Sequence, residues 1–144
     1  MKESLKIAGY PTLWTTDGDG NITRVVRETN KVVTLGKNYF ARCAYDRTGS
    51  PITEIAVGSG TTDASLADTS LEAEFARDTF IGTEIKDNII SYSIQFTQDE
   101  AIGDINEVGL FLADGTMICR TRLSSTFVKT DIDILNINWD IQFG

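Results

Sequence analysis

Apolar and polar side chains alternate along two stretches in the second half of the chain. The apolar positions are separated by Ser, Gln and Thr in residues 88–97, and by Asn, Asp and Gln in residues 132–143. They are Ile90, Tyr92, Ile94 and Phe96, then Leu135, Ile137, Trp139, Ile141 and Phe143. A period of two predicts strands with one buried and one solvated face. The last strand lies either inside a sheet or on an edge, where it can pair with another chain.

A hairpin is predicted around Asp114-Gly115, which separates residues 105–112 from residues 116–123. Glycine readily takes the positive φ that a tight hairpin turn requires. The side chains expected to face the core are Val108, Leu110, Leu112, Met117, Cys119 and Leu123. Each of these strands is expected to keep one wet face.

The first half of the chain has a weaker pattern. Residues 13–15 and 22–26 flank the glycine-rich residues 17–21, which predicts a second hairpin. Residues 52–57 are predicted to form a strand, which ends at Gly58-Ser59-Gly60. The polar residues 61–68 that follow read as the longest loop, and we expect it to be displayed outwards.

Two short helical segments are predicted. Asn30 is placed to cap a helix over residues 31–43, although Gly36 weakens that helix. A helical turn is predicted over residues 71–77, where it would bring Glu74 and Arg77 three positions apart into an ion pair.

These elements define an all-β fold, a mainly antiparallel β-sandwich or open barrel with one or two short helices. A length of 144 residues fits one domain, residues 1–144. Within it, residues 1–30 read as an N-terminal hairpin or arm and residues 31–144 as the main body.

Composition removes several classes of enzyme. The chain has no histidine, which excludes Ser-His-Asp and Cys-His catalysis and any zinc site that needs an imidazole. Two cysteines cannot build a thiolate zinc site or a disulfide scaffold. We therefore expect no catalytic residues, no cofactor and no metal.

The charge distribution bears on partners. A net charge of −8 argues against nucleic acid, because a duplex-binding surface needs clustered Lys and Arg. Residues 1–47 carry a net +3 and residues 48–144 a net −11, so the two parts can dock on each other between subunits or simply act as a solvated surface. No apolar segment of membrane or signal-peptide type is apparent, which predicts synthesis in a cytoplasm and no membrane partner.

One candidate metal site is a calcium-loop pattern, Asp17-x-Asp19-x-Asn21 with Glu28. Ile22 occupies the position where that loop needs glycine. A glycine-rich turn with solvated carboxylates explains the same residues, and we prefer that interpretation.

Two further candidates have bland alternatives. Residues 58–62 follow a strand as a phosphate loop does, but they lack the Gly-Lys-Ser/Thr ending, which favours a structural turn. The carboxylate pairs Glu72 with Glu74 and Asp99 with Glu100 do not show the facing geometry that glycoside hydrolysis needs.

The cysteines and tryptophans read mainly as packing residues. Cys119 is expected to be buried, and Cys43 lies beside Arg42 with no base in sight. Trp139 belongs to an apolar strand face, whereas Trp14 is equally well explained as a core anchor or as a sugar-stacking platform.

Several short motifs resemble small virion proteins of tailed bacteriophages. The pattern "I-x-x-I-A-V-G-x-G-T", a spacer and "T-x-L-x-x-E-x-x-R" matches residues 52–61 and 69–77. The "I-N-E-x-G-L-F … D-G-x-L-I" of phage tail-collar fibre modules is similar to residues 105–118. Lys129 and residues 135–143 look like the "K-x-x-x … L-x-I-x-W-x-I-x-F" close of the same proteins.

The resemblance spans about residues 30–143 and implies a non-enzymatic virion structural protein. The motif residues it assigns to structure or assembly are Gly58, Gly60, Leu71, Glu74, Arg77, Glu107, Gly109, Phe111, Gly115 and Trp139. Implied partners are other virion proteins of the capsid, portal, neck or tail. A homo-oligomer is expected, and viral symmetry favours a trimer.

We expect an accessory decoration or collar component on the outside of the head or neck. The alternative is a tail-fibre or baseplate adaptor or receptor-binding module, which an exposed cluster of Tyr10, Trp14 and Tyr39 would favour. A carbohydrate-active enzyme is the remaining rival.

Overall fold

The computed structural model describes residues 6–47 and 49–144. This part of the chain contains ten strands and one helix. The first five predicted arm residues lie outside it. The elements are β1 (Ile7–Thr16), β2 (Ile22–Arg27), β3 (Lys31–Val32), α1 (Thr34–Asp46), β4 (Ile52–Gly58), β5 (Glu74–Thr79), β6 (Gly82–Lys86), β7 (Ile89–Phe96), β8 (Gly103–Leu112), β9 (Met117–Lys129) and β10 (Ile134–Phe143).

The strands form two five-stranded antiparallel sheets. Sheet A has the order β2-β1-β10-β7-β6, and sheet B has the order β3-β9-β8-β4-β5. The expected all-β fold with a short helix is therefore confirmed, in its two-sheet, sandwich-like form. The final strand β10 lies in the centre of sheet A, which decides between the two positions that the sequence left open.

Both predicted hairpins form. β1 pairs with β2 across the glycine-rich turn, and β8 pairs with β9 across Asp114-Gly115. β1 also pairs with β10 along its whole length, from Ile7 opposite Phe143 to Thr16 opposite Ile134. The N-terminal hairpin is thus an integral part of sheet A.

The main core lies between the sheets, where the apolar faces meet. Its buried members include Leu13, Ile94, Ile137 and Trp139 from sheet A and Ile55, Val108, Leu110 and Leu123 from sheet B. The inward faces predicted from alternation in β7 and β10 are the faces that pack here. Because these side chains exclude water and interdigitate, they supply most of the stabilising burial.

Sheet B does not have the wet outer face expected for it. A second buried cluster contains Val33, Ala56, Leu71, Phe111 and Met117. Met117 packs here beside Phe111, after a register shift between Leu110 and Phe111, and not in the main core. The expectation of one solvated face is wrong for β8 because loop 59–73, the β4–β5 connection, covers that face.

The helix begins three residues later than predicted. Residues 31–32 form β3 against β9, and the N-cap residue is Val33, not Asn30. Two β-branched valines favour an extended start, and the Val33 N–H donates to the Ile118 carbonyl oxygen at 3.1 Å.

The helical turn predicted over residues 71–77 is wrong, so the fold has one helix among the described residues. The amide groups of Glu72 and Ala73 donate to a carboxylate, and β5 pairs with β4 from Glu74 onward. The backbone donors that a helix needs are therefore used elsewhere.

Gly36 permits α1 to lie directly on β9. A Cβ at this position would be 2.2 Å from the Ile118 carbonyl oxygen. We predict that Gly36→Ala destabilises the fold by about 1–3 kcal/mol, since the backbone must shift. Urea unfolding measures this, with Gly18→Ala as control because no atom of the described residues lies within 4 Å of a Cβ placed there. Equal stability of the two variants would contradict the packing.

Candidate functional site

Eight of the ten motif residues meet on the outer side of sheet B. The exceptions are Gly115 and Trp139. The eight lie either in loop 59–73 or on the adjacent strands β4, β5 and β8. They are Gly58, Gly60, Leu71, Glu74, Arg77, Glu107, Gly109 and Phe111. Residues far apart in sequence thus belong to one structural unit, which we call the loop platform.

Glu107 is the centre of the loop platform and is completely buried, with 0% of its surface exposed. Its Oε1 accepts hydrogen bonds from the amides of Gly60 at 3.1 Å and Ala73 at 2.7 Å. Its Oε2 accepts from the Glu72 amide at 2.9 Å. One carboxylate therefore holds both ends of loop 59–73.

Arg120 is the counter-ion of Glu107 and is 2% exposed. Its Nε and Nη2 donate to Glu107 Oε2 at 3.0 and 2.9 Å. Nη1 donates to Asp68 Oδ2 at 3.1 Å, and Nη2 also donates to the Thr62 carbonyl oxygen at 2.8 Å. A buried ion pair is tolerated only when its remaining donors and acceptors are satisfied, and here the loop satisfies them.

A second carboxylate stabilises the loop from within. Glu72 accepts hydrogen bonds from the Thr61 amide and from the Thr62 hydroxyl. The Thr62 hydroxyl bond is the main reason that the pKa of Glu72 is lowered. Residues 61–70 of this loop are largely exposed. The loop is nevertheless held at many points by these hydrogen bonds.

Two motif glycines are required by the close approach of the loop to the sheet. A Cβ at Gly58 would lie 2.5 Å from Glu107 Oε1 and 2.6 Å from the Ala73 carbonyl oxygen. At Gly60 it would lie 2.4 Å from the Glu72 Cβ. These contacts explain the Gly-x-Gly spacing without any phosphate, so residues 58–62 are a structural connection.

The remaining motif residues form the adjoining half of the platform. Arg77 donates to Glu74 at 2.7 Å and to Glu54 at 3.1 Å, and its guanidinium carbon lies 3.9 Å from the centre of the Phe111 ring. Hydrogen bonding to Glu74 raises the pKa of Arg77. The predicted pairing of Glu74 with Arg77 exists, but on strand β5. Leu71 packs on Phe111 where Gly109 leaves room.

The two remaining motif residues, Gly115 and Trp139, and the lysine of the closing motif, Lys129, lie elsewhere. Gly115 has φ +92° in the β8–β9 turn. Trp139 is buried in the main core, and its indole N–H has no partner among the described residues. Lys129 is buried and donates to the carbonyl oxygens of Thr97 and Gln98 at 2.7 and 2.9 Å, and burial lowers its pKa.

The calcium-loop pattern does not come together in the structure. Asp17 Oδ1 accepts from the amides of Asp19 and Asn21, which closes the turn. Glu28 accepts instead from the amide and hydroxyl of Ser124. Across the described residues, no group of three or more His, Cys, Asp or Glu side chains is placed to hold a metal ion.

The other candidate groups are also separated. Cys119 is buried, which raises the pKa of its thiol, and both cysteines are free. Tyr10 and Trp14 are half-buried on the outer side of β1, whereas Tyr39 packs against the main core, so the three aromatic residues do not form one exposed cluster.

A cavity of about 310 Å³ opens beside the platform and includes Asp68, Glu72 and Arg120 in its lining. Their polar atoms form hydrogen bonds within the loop platform.

The described part of the chain contains no helix long and apolar enough to cross a membrane.

Comparison with protein families, with characterised proteins and with solved structures finds no match to this chain. What the structure establishes is thus the class, a two-sheet all-β domain with a loop fixed by a buried ion pair.

Sequence reasoning missed Arg120 and Asp68, which complete the platform. Two features of the sequence could have indicated the ion pair: the carboxylate Glu107 within the largely apolar run 105–112, and Arg120 on the other strand of the predicted hairpin. The register places Gly109 opposite Arg120, so Glu107 is its diagonal neighbour. Asp68 carries no comparable signal, since its contact depends on the path of the loop.

We predict that Glu107→Gln destabilises the protein by about 3–5 kcal/mol, because it leaves a buried guanidinium unpaired and turns an amide group toward backbone donors. Urea unfolding gives the free energy, and limited proteolysis reports opening of loop 59–73. Arg122→Gln is the control, as its ion pair with Asp63 is exposed and contributes less than about 1 kcal/mol. Similar losses in both variants would refute the special role of the buried pair.

Acidification is expected to loosen the loop. The hydrogen bond that the Thr62 hydroxyl donates lowers the pKa of Glu72, in the loop, from 4.5. The hydrogen bond that the Thr97 N–H donates likewise lowers the pKa of Glu100, which lies in the β7–β8 connection and contributes to overall stability. Groups with a lowered folded-state pKa stabilise fully above their unfolded value and lose that contribution as pH falls through the folded value. Stability should therefore fall below about pH 4.5.

Thermal unfolding at neutral pH and at pH 3 tests this. Glu72→Gln should show a smaller difference in Tm between the two pH values than the unaltered protein. Asp19→Asn is the control, since this carboxylate accepts no hydrogen bond among the described residues. The same pH dependence in all three proteins would count against the assignment.

Proposed function

We propose that this protein is a non-enzymatic structural component of a bacteriophage virion, an accessory decoration or collar protein on the outside of the head or neck. The observation that carries the proposal is the loop platform. Eight of the ten motif residues that resemble phage virion proteins meet in one place, and there they hold a fixed, displayed loop. Their shared purpose is therefore architectural.

The physical properties of loop 59–73 suit a docking surface. Residues 61–70 are largely exposed, while both ends are bound to Glu107 and Arg120. A loop that is already ordered loses little conformational entropy when it binds a partner. The apolar Leu66 side chain is 44% exposed at its tip and offers area to bury.

The partners in this proposal are other virion proteins. A domain that binds only an assembled capsid, neck or tail surface stabilises that assembled state by mass action. Symmetric sites on a shell further favour a symmetric oligomer of the bound protein. Its location in the proposal is the virion, after synthesis in the host cytoplasm.

Cryo-electron microscopy of intact particles that carry the protein tests the location. Density at capsid symmetry joints or at the neck would support decoration. Density confined to the tail tip or fibre base would instead support an adaptor or receptor-binding module. Absence from particles would overturn both.

A binding experiment tests the loop. Leu66→Asp should reduce occupancy on particles lacking the protein at least ~10-fold without changing Tm, as expected for a central interface residue. Ile132→Asp is the matched control, because this side chain is 71% exposed in the β9–β10 connection, outside loop 59–73. Loss of binding in both variants, or in neither, would speak against docking through loop 59–73.

A further inference from the structure

Strand β6 leaves a free edge on sheet A. Among residues 6–47 and 49–144 it pairs with β7 on one side only, and all five of its residues are exposed. Ile85 on this strand and Ile81 just before it are 74% and 71% exposed. An exposed edge with apolar side chains is a template for pairing with another strand.

The other free edges are less suited to self-association. β2 carries Arg24 and Arg27 and no acidic residue, so it lacks the opposite charges that would pair it with a second copy. β3 has only two residues. On β5, Arg77 is already paired with Glu54 and Glu74 of its own chain.

The charges on β6 are complementary to themselves. Glu84 and Lys86 flank Ile85, and neither forms an ion pair within the described part of the chain. In an antiparallel pair centred on Ile85, Glu84 of one copy lies directly opposite Lys86 of the other. Directly opposed side chains share a face, so two ion pairs form on one face and the two Ile85 side chains meet on the other.

We propose that β6 pairs antiparallel with β6 of a second copy, so that sheet A continues across a two-fold axis. Ile85 belongs to the face that carries Ile90 and Tyr92, because these residues are cross-strand neighbours of β6. The contact therefore extends an apolar face of the sandwich. Charges at an edge usually prevent pairing, but opposite charges in this register favour one geometry.

The inference does not rest on virion function, since it concerns two copies of the chain in solution. A two-fold contact uses the same patch on both copies, whereas a trimer needs two different patches. The five-residue edge is smaller than a standard interface, so we expect a Kd of ~10 μM to 1 mM.

Analytical ultracentrifugation from micromolar to millimolar concentration tests the dimer. Ile85→Lys places like charges at the axis and should raise the Kd ~100-fold. Ile132→Lys, equally exposed on another connection, should leave it unchanged. Thermal unfolding confirms that each variant is folded. A monomer throughout the range, or dissociation by both variants, would overturn the proposal.

A charge exchange tests the register itself. Glu84→Lys and Lys86→Glu should each weaken homodimers ~10-fold, since each opposes like charges. Mixed together, the two variants should form a heterodimer, because each lysine then faces a glutamate. The double variant E84K/K86E should recover the original Kd. A trimer, or self-association indifferent to these exchanges, would contradict the two-fold pairing of β6.

Discussion

The buried ion pair of Glu107 and Arg120 is the interaction on which the rest of sheet B depends. A buried charge pair is costly unless every remaining donor and acceptor is met, and loop 59–73 meets them with three amides, a carbonyl oxygen and the Asp68 carboxylate. The Leu66 carbonyl oxygen, in the loop, in turn accepts a hydrogen bond from the Thr34 amide at the start of α1. Sheet, loop and helix are therefore one cooperative unit, and the pair specifies the path of the loop more than it adds to stability.

Much of the fold was accessible from residue patterns, because period-two alternation reports burial on one face. It placed β7 and β10, and turn glycines placed both hairpins. It failed where local preference was overridden by tertiary contacts. Residues 71–77 have a composition compatible with a helix, but the amides of Glu72 and Ala73 donate to the Glu107 carboxylate. Helix α1 starts later than predicted because the Val33 N–H donates to a carbonyl oxygen of β9. The buried outer face of sheet B was not visible, since nothing local shows that a distant loop covers it.

The sequence predicted which residues contribute to the candidate site, but not that they lie together in space. Motif resemblance selected eight residues that do meet, yet only the three-dimensional path of the chain explains why. Gly58 and Gly60 read as turn residues, whereas they make room for Glu107 and Glu72. Arg120 and Asp68 were missed because nothing in the local sequence distinguishes a buried arginine on a strand from an exposed one, and because the two residues lie 52 positions apart.

The central position of β10 separates the order of synthesis from the order of folding. β10 lies between β1 and β7, so β1 has no partner on that side until residues 134–143 have left the ribosome. Sheet B, whose strands all precede β10, is available first. Contacts between strands so distant in sequence slow folding, because a long loop must close before they form. Until then the nascent chain exposes the edge of β1 that β10 will cover, and β10 is the strand that completes sheet A.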